Sequence, residues 1–319
     1  MPPSDAPAES LKRRPAMDDI GEGVPRLLLH AFPLSRRMWQ PQLAGLADSC
    51  RLLAPDLPGF GGSPPWPAAA AAHRGSGPGA GGGGAAGDDR DGSGTGGDAR
   101  ARGGGEAAAC RMEDMAAAAV ARLDEAGVAA AVVCGLSMGG YVALALYEVF
   151  RERVRGLVLA DTRAAADDEA GRGRRLESAR AVESGGPPAL AALASSLVPR
   201  LIAPRTRTTR SELVAWLHRE IAEAPPAGVA AAQRGMAERP DRTHLLPRIA
   251  VPTLVVVGEE DEITPPAESV ILRDRIPGAH LVTVAGAGHL SSLERPEAWN
   301  AALREFLRCF APNGAGASG

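Results

Sequence analysis

Lysine is nearly absent from this chain: Lys12 is the only one in 319 residues, and it lies in a polar, proline-containing N-terminal segment. Such segments stay unordered unless something ties them down, so residues 1–15 are expected to form a disordered tail. Without a lysine behind a glycine-rich turn there is no P-loop, and without a buried one no Schiff base can hold pyridoxal phosphate. Aromatic residues are also scarce, at 3%, too few for a base-stacking platform. The formal net charge is only -3, so no overall field draws the chain to nucleic acid or to an anionic membrane, and neither is expected as a partner. No apolar run approaches ~18 residues, and the opening "MPPSDAPAESLKRR" has no apolar stretch behind its charges, which points to the cytoplasm. The four cysteines, Cys50, Cys110, Cys134 and Cys309, are far apart and form no C-x-x-C pair. That spacing argues against a zinc knuckle or a dithiol redox site and suggests reduced, buried thiols; neither metal nor cofactor is expected.

What is present is a globular composition, 45% hydrophobic and 23% charged, long enough to bury a large core. Short apolar runs recur at Arg26–Phe32, Arg51–Leu57, Ala129–Gly135, Val154–Asp161, Pro252–Gly258 and Ala279–Gly286. Amphipathic patterns such as "RRMWQPQLAGLAD", "MEDMAAAAVARLDEAG", "YVALALYEVFRERV", "AESVILRDRI" and "PEAWNAALREFLRCF" lie between or after them. Continuous apolar strands alternating with helices predict an α/β fold with a doubly wound, mainly parallel sheet, here over residues 16–319.

Two segments interrupt the alternation. Within residues 64–110, the stretch from Pro67 to Gly105 is almost wholly Gly, Ala, Asp, Arg, Ser and Thr. It cannot bury enough apolar surface to offset the entropy of ordering, and reads as a disordered insertion. Residues 163–246 carry helical patterns without a strand, which predicts a small helical lid. Two matches to G-x-G-x-x-G, "GSGTGG" at Gly92–Gly97 and "GAGASG" at Gly314–Gly319, neither follow a strand nor open a helix, so they are not dinucleotide sites.

The stretch "VVCGLSMGGY" encloses Ser137 between Gly135 and the pair Gly139–Gly140, with a strand before it and a helix after it. Glycine weakens regular elements, so three around one hydroxyl imply a geometry that side chains would block. A G-x-S-x-G elbow turns sharply from strand to helix and exposes its serine at the helix N-terminus. A serine that only caps a helix fits the same letters, and partners must decide.

Of six histidines, His73 falls in the insertion, His218 on a lid helix, His244 in "PDRTHLL" and His280 at a strand start. His30 ends a strand, where backbone bonding is the simpler role. His289 differs, because "VAGAGHLSSLERPEAW" places it in a glycine-containing loop between the last strand and the last helix, at the same sheet edge as Ser137. For an acid, "VVVGEEDEITPP" offers Asp261 beyond the penultimate strand, with Glu259, Glu260 and Glu262 as close rivals and Asp161 as a distant one. Each carboxylate could equally cap a helix. Ser137, Asp261 and His289 nevertheless occur in the chain order Ser, Asp, His.

With these residues, the sequence resembles the α/β-hydrolase superfamily from about Ile20 to Phe310, apart from the insertion. "LLLHAFPLSRRMW" is similar to the family's oxyanion strand and loop, "APDLPGFGGS" to its next strand and turn, and "GEED" and "GAGH" to its acid and histidine loops. "CGLSMGG" and "HAFPLS" resemble esterases, enol-lactonases and cofactor-free haloperoxidases most. The resemblance implies Ser137 as nucleophile, His289 as base, Asp261 as its orienting acid, and the backbone N–H groups of Phe32 and Met138 as the oxyanion hole. Ala31 stands where the family usually has glycine, and little before Met17 reads as strand, so the N-terminal strand pair is expected to be short.

The activity so implied is cleavage of a small-molecule carboxylic ester or lactone through an acyl-enzyme. Perhydrolysis is the nearest enzymatic alternative, and a non-catalytic binding protein on the same fold is the alternative of another class. Aspartate-nucleophile dehalogenases and epoxide hydrolases are disfavoured by Ser137, and a prolyl aminopeptidase by Met138. Leu201, Trp216 and Met236, with Phe32 and Trp39, are candidates to line an apolar acyl pocket, though each also fits ordinary core packing. Arg163 is a candidate for a substrate carboxylate, though a solvated or ion-paired arginine is the simpler reading. Oligomeric state is not legible.

Overall fold

The computed structural model describes residues 16–66 and 108–310. The N-terminal tail, the Pro67–Gly105 stretch with His73, and both G-x-G-x-x-G matches lie outside the described residues. Seven strands form one sheet: β1 (Met17–Ile20), β2 (Pro25–Leu29), β3 (Arg51–Pro55), β4 (Ala131–Leu136), β5 (Val154–Ala160), β6 (Thr253–Gly258) and β7 (His280–Val284). Their spatial order is β1-β3-β2-β4-β5-β6-β7; β1 runs antiparallel to β3, and all other pairs are parallel. The pattern "MDDI" does not announce β1, because an edge strand carrying two acids has no apolar run to detect. At the first expected strand the chain leaves the sheet after Leu29, freeing His30, Ala31 and Phe32 for the following loop.

β4 and β6, "AVVCGL" and "TLVVVG", are buried at every position because both faces of the sheet are covered. Alternate side chains feed two cores. Leu27, Leu29, Val133 and Leu159 pack under α2 (Met112–Glu125) and α3 (Met138–Val149), where Leu123 and Val142 meet them. Leu28, Val132, Cys134 and Val158 pack on the opposite face with Leu46 of α1 (Gln40–Leu46) and Trp299 and Leu303 of the last helix, Pro296–Leu307.

Between β5 and β6 the chain passes through α4 (Glu169–Leu201), α5 (Pro204–Thr209), α6 (Ser211–Ala222) and α7 (Pro226–Glu238). α4 is two arms joined at Gly186, whose φ of 53° and ψ of -137° break the helical path before Pro187 and Pro188. After β6 comes α8 (Pro266–Arg275), and after β7 come the short α9 (Ser291–Glu294) and α10 (Pro296–Leu307). Strand order reverses between β2 and β4, so the loops leaving their carboxyl ends flank a crevice where such sheets place ligands. Trp66 Nε1 donates to Ala108 O at 2.9 Å and Cys110 N to Ala231 O at 3.0 Å, which holds the two edges of the undescribed stretch together beside α7. Among the described residues no helix is long and apolar enough to cross a membrane.

Candidate active site

Ser137 stands between β4 and α3 with φ 55° and ψ -113°, a conformation that L-residues avoid unless their surroundings impose it. The surrounding glycines explain how it is imposed. A Cβ on Gly135 would strike the Gly139 carbonyl, one on Gly139 the Leu29 carbonyl, and one on Gly140 the Thr162 side chain. The elbow is further fixed by Ser137 N donating to Ala160 O (2.9 Å) and Thr162 Oγ1 donating to Ser137 O (2.9 Å).

His289 Nε2 lies 2.8 Å from Ser137 Oγ, and His289 Nδ1 lies 2.9 Å from Asp261 Oδ2 and 3.0 Å from Oδ1. The loop after β6 holds Asp261 in place: its Oδ1 accepts from Ile263 N (2.8 Å) and Thr264 N (3.0 Å), and its Oδ2 from Thr264 Oγ1 (2.8 Å). Burial alone would raise this carboxyl's pKa, but the His289 charge and the donors from His289 and Thr264 outweigh it, so the pKa falls below the ordinary value. An ionised Asp261 can accept a hydrogen bond from Nδ1–H, which leaves Nε2 facing Ser137 Oγ.

The rival acids occupy other positions. Glu259, Glu260 and Glu262 are exposed, and Glu259 Oε2 accepts from Gly286 N at 2.9 Å across the loops. Asp161 is buried after β5, bonded to Gly258 N and Ser291 Oγ. His30 is also buried, its Nε2 accepting from Leu57 N at 2.9 Å and its Nδ1 3.0 Å from Ala31 O. Burial lowers its pKa, so a neutral ring ties the loop after β2 to the loop after β3. His218 is on α6, His244 is exposed near Asp241, and His280 is exposed at the start of β7.

Phe32 and Met138 flank the serine from the loop after β2 and the start of α3. As the first residue of a helix, Met138 has an N–H without an intrahelical acceptor. Neither it nor the Phe32 N–H donates a hydrogen bond among the described residues. Ser137, His289 and Phe32 open into a cavity of about 620 Å³ lined further by α4 and α7. Leu201 and Met236 line it, as the apolar pattern suggests.

Two of the expected pocket residues do not. Trp39 is fully buried against Trp299, ring centroids 5.6 Å apart, in the core beneath α1 and α10. Trp216 is half-buried against the same core and outside the cavity lining. Arg163 does line the cavity, but its guanidinium bonds Asp167. Asp167 also receives Arg175 and, at 2.9 Å, Arg239, which in turn stacks 4.1 Å over the Tyr141 ring. Burial would raise the Asp167 pKa; the hydrogen bond from Arg239 and the charges of Arg175 and Arg239 more than reverse this. Arg163 is thus part of the cavity wall.

Sequence reasoning passed over Thr264, the Asp167 cluster, and Arg174 and Arg200, which also line the cavity. Arg174 and Leu201 belong to different arms of α4, and only the turn at Gly186 brings those arms to one cavity. Thr264, three residues after the acid in "DEIT", carried a weak signal, since a hydroxyl there can return to the carboxylate.

The model of the alpha/beta hydrolase fold matches residues 27–296. The chain belongs to this family. A curated relative, 3-oxoadipate enol-lactonase 2 of Acinetobacter baylyi, is 29% identical over 200 residues, which is 63% of this chain and 72% of that one. An esterase from Thermogutta terrifontis, solved with malate bound, is 37% identical with a TM-score of 0.77, over 92% of this chain and 93% of that one. A bromoperoxidase from Bacillus anthracis shares the fold at 18% identity and a TM-score of 0.69, over 92% and 94% of the two chains.

Proposed function

We propose that this chain is a serine hydrolase that cleaves a carboxylic ester or lactone through an acyl-enzyme on Ser137. The observation that carries the reading is the continuous hydrogen-bonded series Ser137 Oγ, His289 Nε2, His289 Nδ1, Asp261, of which Ser137 and His289 line the cavity. A serine hydroxyl needs a base to accept its proton, and that base needs an orienting acid. In the first step His289 Nε2 takes the Ser137 proton while Oγ attacks the carbonyl carbon, and the Phe32 and Met138 N–H groups receive the oxyanion. The imidazolium then protonates the leaving alkoxide, which departs as the alcohol or remains as the far end of an opened lactone. Water, deprotonated by the same nitrogen, releases the acid. Asp261 keeps the Nδ1 proton in place and stabilises the charged ring throughout.

The cavity also suggests which acyl group is taken. Leu193, Leu197 and Leu201 give one wall an apolar surface, while Arg174 and Arg200 line the same space and have no carboxylate partner among the described residues. Asp167 is occupied by three other arginines, and Asp168 caps α4 through Gly171 N at 2.7 Å; Glu268 is the remaining acid of the lining. A short acyl chain ending in a carboxylate matches apolar walls with two uncommitted guanidiniums. The enol-lactonase relative and the malate-bound esterase are consistent with this choice. The test is a panel of neutral esters, half-esters of dicarboxylic acids and lactones assayed on the purified chain, with Ser137→Ala as control. Turnover that persists in Ser137→Ala would refute the reading. Dye halogenation with peroxide and acetate, at rates above ester hydrolysis, would move it to a perhydrolase.

A further inference from the structure

The Asp161 side chain is 0% exposed, and its backbone, at φ 46°, is in the left-handed region that non-glycine residues rarely enter. Asp161 follows β5, between the strand that leads to Ser137 and the strand that leads to Asp261. Its Oδ1 accepts from Gly258 N at 2.8 Å, and its Oδ2 accepts from Ser291 Oγ at 2.5 Å. Its own N donates to Val256 O at 2.8 Å. Gly258 is the last residue of β6, three before Asp261, and Ser291 is two after His289. One carboxyl group therefore spans the two loops whose contact sets the Asp261–His289 hydrogen bond.

We propose that Asp161 is a positioning residue, a buried clamp that fastens the acid loop to the histidine loop and so fixes the His289 ring for catalysis. Its side chain hydrogen-bonds Gly258 and Ser291, not Ser137, and it is not among the residues that line the cavity. The inference rests on reading Ser137, His289 and Asp261 as the reacting set. A left-handed backbone at a non-glycine residue is strained, and such strain persists where the surroundings over-determine it; here it aims one side chain at two loops. Burial, with the nearby Asp261 and Glu294 charges added, raises the Asp161 pKa well above the carboxylate range, against the opposing hydrogen bonds from Ser291 and Gly258. The shifts of the two carboxyls are opposite in direction, so the charged form is disfavoured at Asp161 and favoured at Asp261. An amide matches the shape of the clamp: in Asn the side-chain oxygen still accepts from Gly258 N, and the NH₂ can donate to Ser291 Oγ.

Three variants of the full chain test this: Asp161→Ala, Asp161→Asn and Ser291→Ala, each checked for folding by circular dichroism. Asp161→Ala should lower kcat by about 100-fold with KM little changed, the loss expected when a reacting group is misplaced by about an ångström. Its kcat/KM–pH profile should shift on the acid limb. Ser291→Ala should show the same split with a smaller loss, and Asp161→Asn should recover most of the loss and the wild-type pH profile. The downfield proton resonance of His289 Nδ1 provides a readout without turnover: it should move in Asp161→Ala and stay in place in Asp161→Asn. If Asp161→Ala fails to fold, Ser291→Ala and Asp161→Asn decide. Unchanged kcat, pH profile and resonance in Ser291→Ala would overturn the clamp, and so would an Asp161→Asn loss as deep as that of Asp261→Asn. If the resonance behaves as expected but Ser137→Ala hydrolyses as well as wild type, the clamp stands as geometry and the serine reading fails.

Discussion

At the carboxyl edge of the sheet, the loops carrying Ser137, Asp261 and His289 are fixed by short-range backbone geometry and buried hydrogen bonds. Glycines admit the elbow, Thr264 holds Asp261, and Glu294 accepts from Gly288 N at 2.7 Å and Ala203 N at 2.9 Å beside the histidine. Above the edge, the wall built by α4 and α7 is held by ion pairs around one buried carboxylate, Asp167, and by the turn at Gly186. The first region fastens the loops that carry the Ser137, Asp261 and His289 side chains. The second fastens the helices that line the cavity above them. Substitutions at the edge should therefore affect the chemical step, and substitutions in the wall should affect the choice of substrate.

The largest separation between the two regions should come from Asp261→Asn. It presents Nδ1 of His289 with the wrong partner and should lower kcat by about 10⁴-fold, as the equivalent change does in a serine protease. Asp161→Asn should stay far above that level. Stopped assays on both variants, with their folding verified, make the comparison; the reverse ranking would transfer the acid to β5.

In the wall, Arg174→Gln with Arg200→Gln should lower the ratio of kcat/KM for a half-ester to that for the neutral diester by about ten-fold, the scale of one or two charge-assisted hydrogen bonds. An unchanged ratio would leave those guanidiniums as solvated surface. Replacing Pro67–Gly105 by a short Gly-Ser linker should alter short-ester turnover by no more than a few-fold, because Trp66 and Ala108 already meet across that stretch. An unfolded or inactive product would make it structural.

The fold was legible because parallel strands buried on both faces leave uninterrupted apolar runs, as in "TLVVVG". Ser137, Asp261 and His289 stood out because each follows a strand end at one edge, where order along the chain predicts proximity. β1 was faint, since its pairing is made by backbone groups while its side chains are half exposed or exposed. Trp39 and Trp216 misled for the opposite reason. Large apolar side chains suit a pocket and a core equally, and only packing against Trp299 assigns Trp39 to the core. Arg174 and Arg200 were invisible as a pair because their meeting depends on the Gly186 turn.

A smaller effect distinguishes Asp161 from Asp261 by the pH dependence of stability. A carboxyl whose pKa is raised in the folded chain binds its proton more tightly there than in the unfolded chain. Stability from this group is full below the unfolded value of ~3.9 and is lost as pH rises from there toward the folded value. Asp261, with a lowered pKa, has the opposite sign: its contribution is present above the unfolded value and is lost as pH falls through the folded one. Thermal midpoints measured from pH 4 to 8 should therefore decline less in Asp161→Asn than in wild type. An equal or steeper decline would show that Asp161 is ionised in the fold.

The reactivity of Ser137 is tested most directly with an organophosphonate probe on the intact chain, followed by peptide mass spectrometry. One adduct should appear, on the peptide containing Ser137, vanishing in Ser137→Ala and falling sharply in a folded His289→Ala. Labelling elsewhere, or none on the folded wild type, would leave the left-handed serine as a tight turn with a helix cap and contradict its role as nucleophile.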